Sequence, residues 1–165
     1  MKDQPVIDLP KTTIEVWLDV ASWLFATAAL AIAIGYYPDL PEQIPTHFGP
    51  SGRADNFGPK VTIFILPVLS LVLVGGIVFL SKYPHRFNYL NKITPENAAF
   101  EYQRMRLMLR VVNMLTSLLF LVITRDILNA VSSDAAGVSA MFWIVFVLLL
   151  VVPPFFLGWR GKKGR

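Results

Sequence analysis

The chain has 165 residues, no cysteine, 55% hydrophobic and only 16% charged residues, and a formal net charge of +4. A soluble domain carries about 25% charged residues; here the charges crowd into short stretches between long uncharged tracts. That excludes a disordered chain, a disulfide-stapled secreted domain and an ordinary soluble α/β enzyme. Because the basic residues flank apolar runs and do not line one polar face, no nucleic-acid partner is expected.

Crossing a hydrocarbon core of roughly 30 Å takes about 20 apolar residues in a helix. Four stretches reach that length, at about residues 14–36, 61–80, 107–128 and 138–159. A lone strand cannot satisfy its backbone in lipid, so helices are expected. Buried helices of a soluble bundle would show a polar stripe, and residues 142–152 have no polar side chain. The predicted fold class is an all-α membrane protein: one domain over residues 1–165, four transmembrane helices, the lipid bilayer as its partner. The first stretch has no strongly basic start, is too long for a cleaved apolar region and holds Asp19, so it reads as retained.

Orientation follows from the lysines and arginines. Twelve fall on one side: Lys2, Lys11, Lys82, Arg86, Lys92, Arg104, Arg106, Arg110, Arg160, Lys162, Lys163 and Arg165. Three fall on the other, Arg53, Lys60 and Arg125. Both termini and the segment 81–106 are therefore expected in the cytoplasm, and the segment 36–60 outside. Trp17, Tyr36, Tyr37, Tyr83 and Trp159 stand near span ends, where amphipathic rings prefer the interface.

Asp19 and Arg110 enter their spans to similar depth from the same side. An isolated charge there costs several kcal/mol, so an intramembrane pair is expected, with Asn113 one turn beyond; separate snorkelling to the headgroups is the alternative. Few other polar residues lie deeper, which disfavours a transporter. Pro67 and the Pro153–Pro154 pair are expected to kink or end helices.

In the segment 81–106, Thr94-Pro95-Glu96 reads as a helix start. The helix would run on to about Leu128, a length of about 50 Å at 1.5 Å per residue. Its first turns would present Glu101, Arg104 and Arg106 as a solvated, basic-leaning face, for lipid headgroups or for a cytoplasmic protein partner.

The segment 36–60 contains Pro38, Pro41, Pro45, Pro50 and Pro59 with Gly49, Gly52 and Gly58. Unstructured connections of more than about 12–15 residues are uncommon. Prolines that fix φ and glycines that supply turns predict an ordered cap made of successive tight bends, anchored by Leu40, Ile44, Phe48 and Phe57.

Leu40-Pro41, Ile44-Pro45-Thr46-His47-Phe48, then Gly52, Asp55, Phe57 and Lys60 form a pattern that resembles a bacterial and archaeal membrane domain family of unknown function. That domain also makes up the front part of the Sdp-toxin immunity proteins. A second block is similar too: Pro84, Arg86, Asn88 and Tyr89, then Thr94, Glu96, Asn97 and Tyr102. Together the blocks and their spans cover about residues 20–125. The resemblance implies a multi-pass protein of the prokaryotic cell membrane with the first block outside. In immunity members it further implies protection against a secreted peptide toxin, coupled to capture of a repressor at the membrane; those members have further spans after this domain.

His47 is the tempting catalytic or metal-binding residue. A zinc site wants three or four ligands, and His47 would have to recruit Asp39, Glu42 and Asp55 at spacings that fit no ligand pattern, since the other histidine, His85, belongs on the opposite side. No metal and no cofactor are expected. The leading expectation is that His47 hydrogen-bonds Asp55 or a loop carbonyl and holds the cap shut; recognition of a peptide or headgroup by His47, Phe48, Arg53 and Asp55 is the other. The expected function is a non-enzymatic binding or sensing module. A membrane enzyme using His47 and Asp55, or a small transporter or accessory subunit, is the alternative.

Overall fold

The computed structural model describes residues 4–133 and 137–158. Lys2, Arg160, Lys162, Lys163, Arg165 and Trp159, which entered the orientation argument, lie outside the described residues.

Helix α1 (Thr13–Tyr36) begins at a capping box. Thr12 N donates to the Glu15 carboxylate at 2.8 Å while Glu15 N donates back to Thr12 Oγ1, so two backbone donors of the first turn are satisfied at once. Its buried residues, Glu15, Asp19, Ser22, Ala26, Ala29 and Ala33, recur at helical spacing and define one face. The alanines let a neighbouring helix approach closely. A 3₁₀ turn, Tyr37–Asp39, ends the helix.

The segment expected to be a series of bends instead folds as an antiparallel hairpin of β1 (Gln43–Phe48) and β2 (Ala54–Pro59). The prolines are accommodated, not excluded: Pro45 sits in β1 without a ladder donor, and the register shifts between Pro45 and His47 and again between His47 and Phe48. At the tip Gly52 N donates to Gly49 O at 2.8 Å, and Gly52 takes φ +77°, a conformation that costs glycine little. Val138 N donates to Gly52 O at 2.9 Å, tying the tip to the connection after the third helix. The approach is so close that a Cβ on Gly137 would collide with the Gly52 carbonyl.

A 3₁₀ turn over Lys60–Phe64 leads into α2 (Ile65–Leu80), so regular helix starts four residues later than hydropathy suggested. Pro67 falls in the first turn of α2, where its missing N–H has no intrahelical partner to lose. Helix α3 (Ala98–Ser132) has 35 residues and spans about 52 Å at 1.5 Å per residue. It starts at Ala98, not at Pro95, because Asn97 closes a turn ahead of it. Asn97 Oδ1 accepts from Thr94 N at 2.8 Å, and its Nδ2 donates to Lys92 O at 3.0 Å. The Thr94 hydroxyl turns to Glu96, whose carboxyl is held below the usual range by that hydrogen bond. Helix α4 (Ala140–Gly158) runs helically through Pro153 and Pro154.

All four are long and apolar enough to cross a membrane, α2 together with its preceding turn. They alternate in direction, so the hairpin sits at one end of the bundle, and the N-terminal segment and the α2–α3 connection sit at the other. Packing is inverted relative to a soluble bundle. Ser22, Ser70, Asn113, Ser117 and Thr124 are buried, while Trp23, Leu24, Ile65, Val72, Ile144 and Leu150 are exposed. Apolar side chains lose nothing by facing lipid tails, and three inner hydroxyls are satisfied within their own helices, Ser22 to Leu18 O, Ser117 to Asn113 O and Thr124 to Phe120 O, each at 2.8 Å, whereas Ser70 Oγ is buried without a partner. The largest apolar core joins Ala33, Leu40, Ile44, Ile63, Ile127 and Leu128 under the hairpin.

Candidate functional site

Two polar constellations stand at opposite ends of the bundle. At the end away from the hairpin, α1 contributes Glu15 and Asp19, and α3 contributes Arg106 and Arg110. Each pair is four residues apart, so each occupies one helix face, and the two parallel helices bring the faces together. Arg106 Nε and Nη2 donate to the two Glu15 oxygens at 2.8 and 2.6 Å, a bidentate pair. Arg110 Nη1 donates to Glu15 Oε1 and its Nε to Asp19 Oδ1, both at 3.1 Å. Lys11 Nζ completes the chain with Asp19 Oδ2 at 2.8 Å. Glu15 and Arg110 are each 1% exposed.

The structure thus brings Asp19 and Arg110 together, but within a larger network centred on Glu15. The expectation that Arg106 lies on a solvated face with Glu101 and Arg104 is overturned. Arg106 is buried, and Glu101 is buried beside it in an ion pair with Arg104 at 2.5 Å. Arg106 is covered by the N-terminal segment: its Nη1 donates to Leu9 O at 2.7 Å and its Nη2 to Pro10 O at 3.2 Å. The same strap is held by Tyr102 Oη to Pro5 O at 2.8 Å and by Gln4 Nε2 to Phe87 O at 3.0 Å. Two signals in the sequence point to this arrangement: the Thr12-x-x-Glu15 spacing of a capping box, and acids and arginines each spaced by four. Asn113 does not join in; its Nδ2 is buried without a partner.

Of the second sequence block at this end, Pro84 is buried in a 3₁₀ turn, Pro84–Arg86, and its carbonyl accepts from Tyr89 Oη at 2.9 Å. Burial pushes the Tyr89 phenol above its usual pKa. Arg86 lies over the Tyr83 ring at 5.4 Å, and Asn88 is exposed. Thr94 and Asn97 shape the turn before α3.

At the hairpin end, His47 Nδ1 and Asp55 Oδ1 are 2.5 Å apart across the two strands. The expected bond between His47 and Asp55 is thus present, and because their side chains are 66% and 50% exposed the pair stands on the surface of the hairpin. Pro45 is buried and Phe48 packs on the core beneath, while Thr46 is exposed. Gly52 forms the tip. Lys60 anchors the base of the hairpin: its Nζ lies 3.2 Å from Glu42 and 5.3 Å over the Tyr37 ring, and its backbone N donates to Glu42 O. Among the described residues, no three His, Cys, Asp or Glu side chains group to hold a metal ion.

Residues 24–71, which run from α1 through the hairpin into α2, match a family described as a domain of unknown function, DUF1648. An uncharacterized protein of Archaeoglobus fulgidus is 28% identical over 133 residues, covering 72% of each chain. No solved structure matches.

Proposed function

We propose that this is a non-enzymatic multi-pass protein of the prokaryotic cell membrane, with both termini in the cytoplasm, whose hairpin binds a peptide on the outer side, as in peptide-toxin immunity. The observation that carries this reading is the exposed His47–Asp55 pair. A hydrogen-bonded pair so open to water contributes little to stability, so its fixed geometry is available to a ligand. Two features support it. Phe57 is exposed on the same hairpin. Beyond the Arg53–Gly137 bridge that meets the chain just before β2, the two-stranded sheet also leaves one edge of β2 unpaired among the described residues, a template on which an extended peptide can add a strand. Arg86 and Asn88, exposed at the opposite end, are the proposed contact for a cytoplasmic protein partner.

The topology is tested by single cysteines, since the chain has none of its own. Arg53→Cys is expected to react with an impermeant reagent on intact cells and Asn88→Cys is not; the reverse pattern overturns the orientation. For binding, the protein in nanodiscs is titrated with the Sdp toxin peptide. His47→Ala is expected to leave thermal stability within about 1 kcal/mol of wild type while weakening binding about tenfold. Equal binding by both removes His47 from recognition, and no binding by wild type removes the peptide reading.

A further inference from the structure

We propose that the cavity at the end of the bundle away from the hairpin is a binding site for a phosphate group. The cavity has a volume of about 200 Å³ and lies between the N-terminal strap, the end of α2 and α3. Water occupies about 30 Å³ per molecule in the liquid, so the space suits a phosphate group with attendant waters. Lys11, Lys82, Arg106 and Arg110 line it, with Asp8 at its wall. With Glu15 and Asp19 behind the arginines, four cations face three carboxylates, leaving an excess of positive charge.

Donor capacity, not charge alone, marks the site. Arg110 is 1% exposed, and its Nε and Nη1 are engaged with Asp19, Glu15 and the Arg106 carbonyl, whereas its Nη2 makes no hydrogen bond among the described residues. Arg106 Nη1 donates only to Leu9 O, leaving one N–H over. Ser81 lines the same cavity, is 2% exposed, and its hydroxyl has no partner. Of these the Ser81 hydroxyl is a buried polar atom left without a partner, which costs free energy, and the arginine N–H groups are spare donors beside it. A group with several anionic oxygens can accept from all of these at once, and guanidinium is suited to phosphate. The network with Glu15 and Asp19 holds both arginines in place before a ligand arrives. This inference is independent of the role given to the hairpin.

Either a lipid headgroup or a free anion can supply the phosphate, and two arms separate them. In detergent, thermal unfolding of the full chain is followed with inorganic phosphate against chloride at equal ionic strength. In nanodiscs of phosphatidylcholine, it is followed with and without phosphatidic acid. Stabilisation in the first arm identifies a site open to free anions; stabilisation only in the second identifies a headgroup site. In whichever arm responds, the Ser81→Ala/Lys82→Gln variant is expected to lose about tenfold in apparent affinity. Lys82→Gln alone, at an exposed position, is expected to lose part of it. Lys92→Gln, exposed outside the cavity, is expected to match wild type. No stabilisation in either arm, or equal affinity for wild type and the double variant, overturns the proposal, as does an equal loss in Lys92→Gln.

Discussion

Replacing Glu15 with alanine is expected to destabilise the bundle by about 3–5 kcal/mol, the cost of leaving buried charge without its partner. Glu15 accepts from Arg106 through both oxygens, from Arg110, and from the Thr12 backbone N–H. Its loss leaves two buried guanidiniums with Asp19 as the one carboxylate in their network, and it also undoes the capping box. Asp19→Ala is expected to cost less, because Asp19 is shared with Lys11, whose side chain is 41% exposed and can return to water. The unfolding transition in detergent measures both. Removing charge from both sides, as Glu15→Leu with Arg106→Met, is expected to recover much of the loss, since replacing a whole buried pair with apolar groups is often neutral. A loss under about 1 kcal/mol for Glu15→Ala would mean the network behaves like an exposed one.

Replacing Ile44 with alanine is expected to cost about 2–5 kcal/mol, confined to the hairpin end. Ile44 is wholly buried in the cluster formed by Ala33, Leu40, Ile63, Ile127 and Leu128. It is the residue through which β1 is driven onto the ends of α1 and α3, and an isolated two-stranded hairpin is marginal in water. The expected readout is faster hydrogen exchange at the Val138 and Gly49 N–H groups, whose acceptors are Gly52 O and Arg53 O. Helical content should be unchanged, because α1 and α3 keep their contacts lower in the bundle. Exchange at wild-type rates would show that the hairpin is held by the tip contact and not by its apolar anchor.

Both results bear on how the two ends of the molecule were readable. The spans were legible because a hydrocarbon solvent imposes a length and a composition on any segment that crosses it, and residues 142–152 satisfy that with no help from neighbours. Leu40, Ile44 and Phe48 were legible as anchors for the same reason, since apolar side chains between prolines need something to cover them; Phe57, expected to be a fourth, is instead exposed on β2 and does not join the core. The hairpin was not. Proline and glycine say where a chain bends but not what it pairs with, and β1 carries Pro45 inside a strand at the expense of two register shifts.

The buried charge network marks the division most clearly. Asp19 and Arg110 drew attention by depth, since an ion inside a span has few ways to be stable. Glu15 and Arg106 did not, because near a helix end an ion has an easy escape to water. Only the folded chain removes that escape, by laying the N-terminal strap across Arg106 so that the Leu9 and Pro10 carbonyls accept from its guanidinium. Hydropathy acts on each residue singly and therefore sets which segments leave water. Whether a polar group at their ends is solvated or paired depends on which other segments arrive beside it, and that was decided by packing.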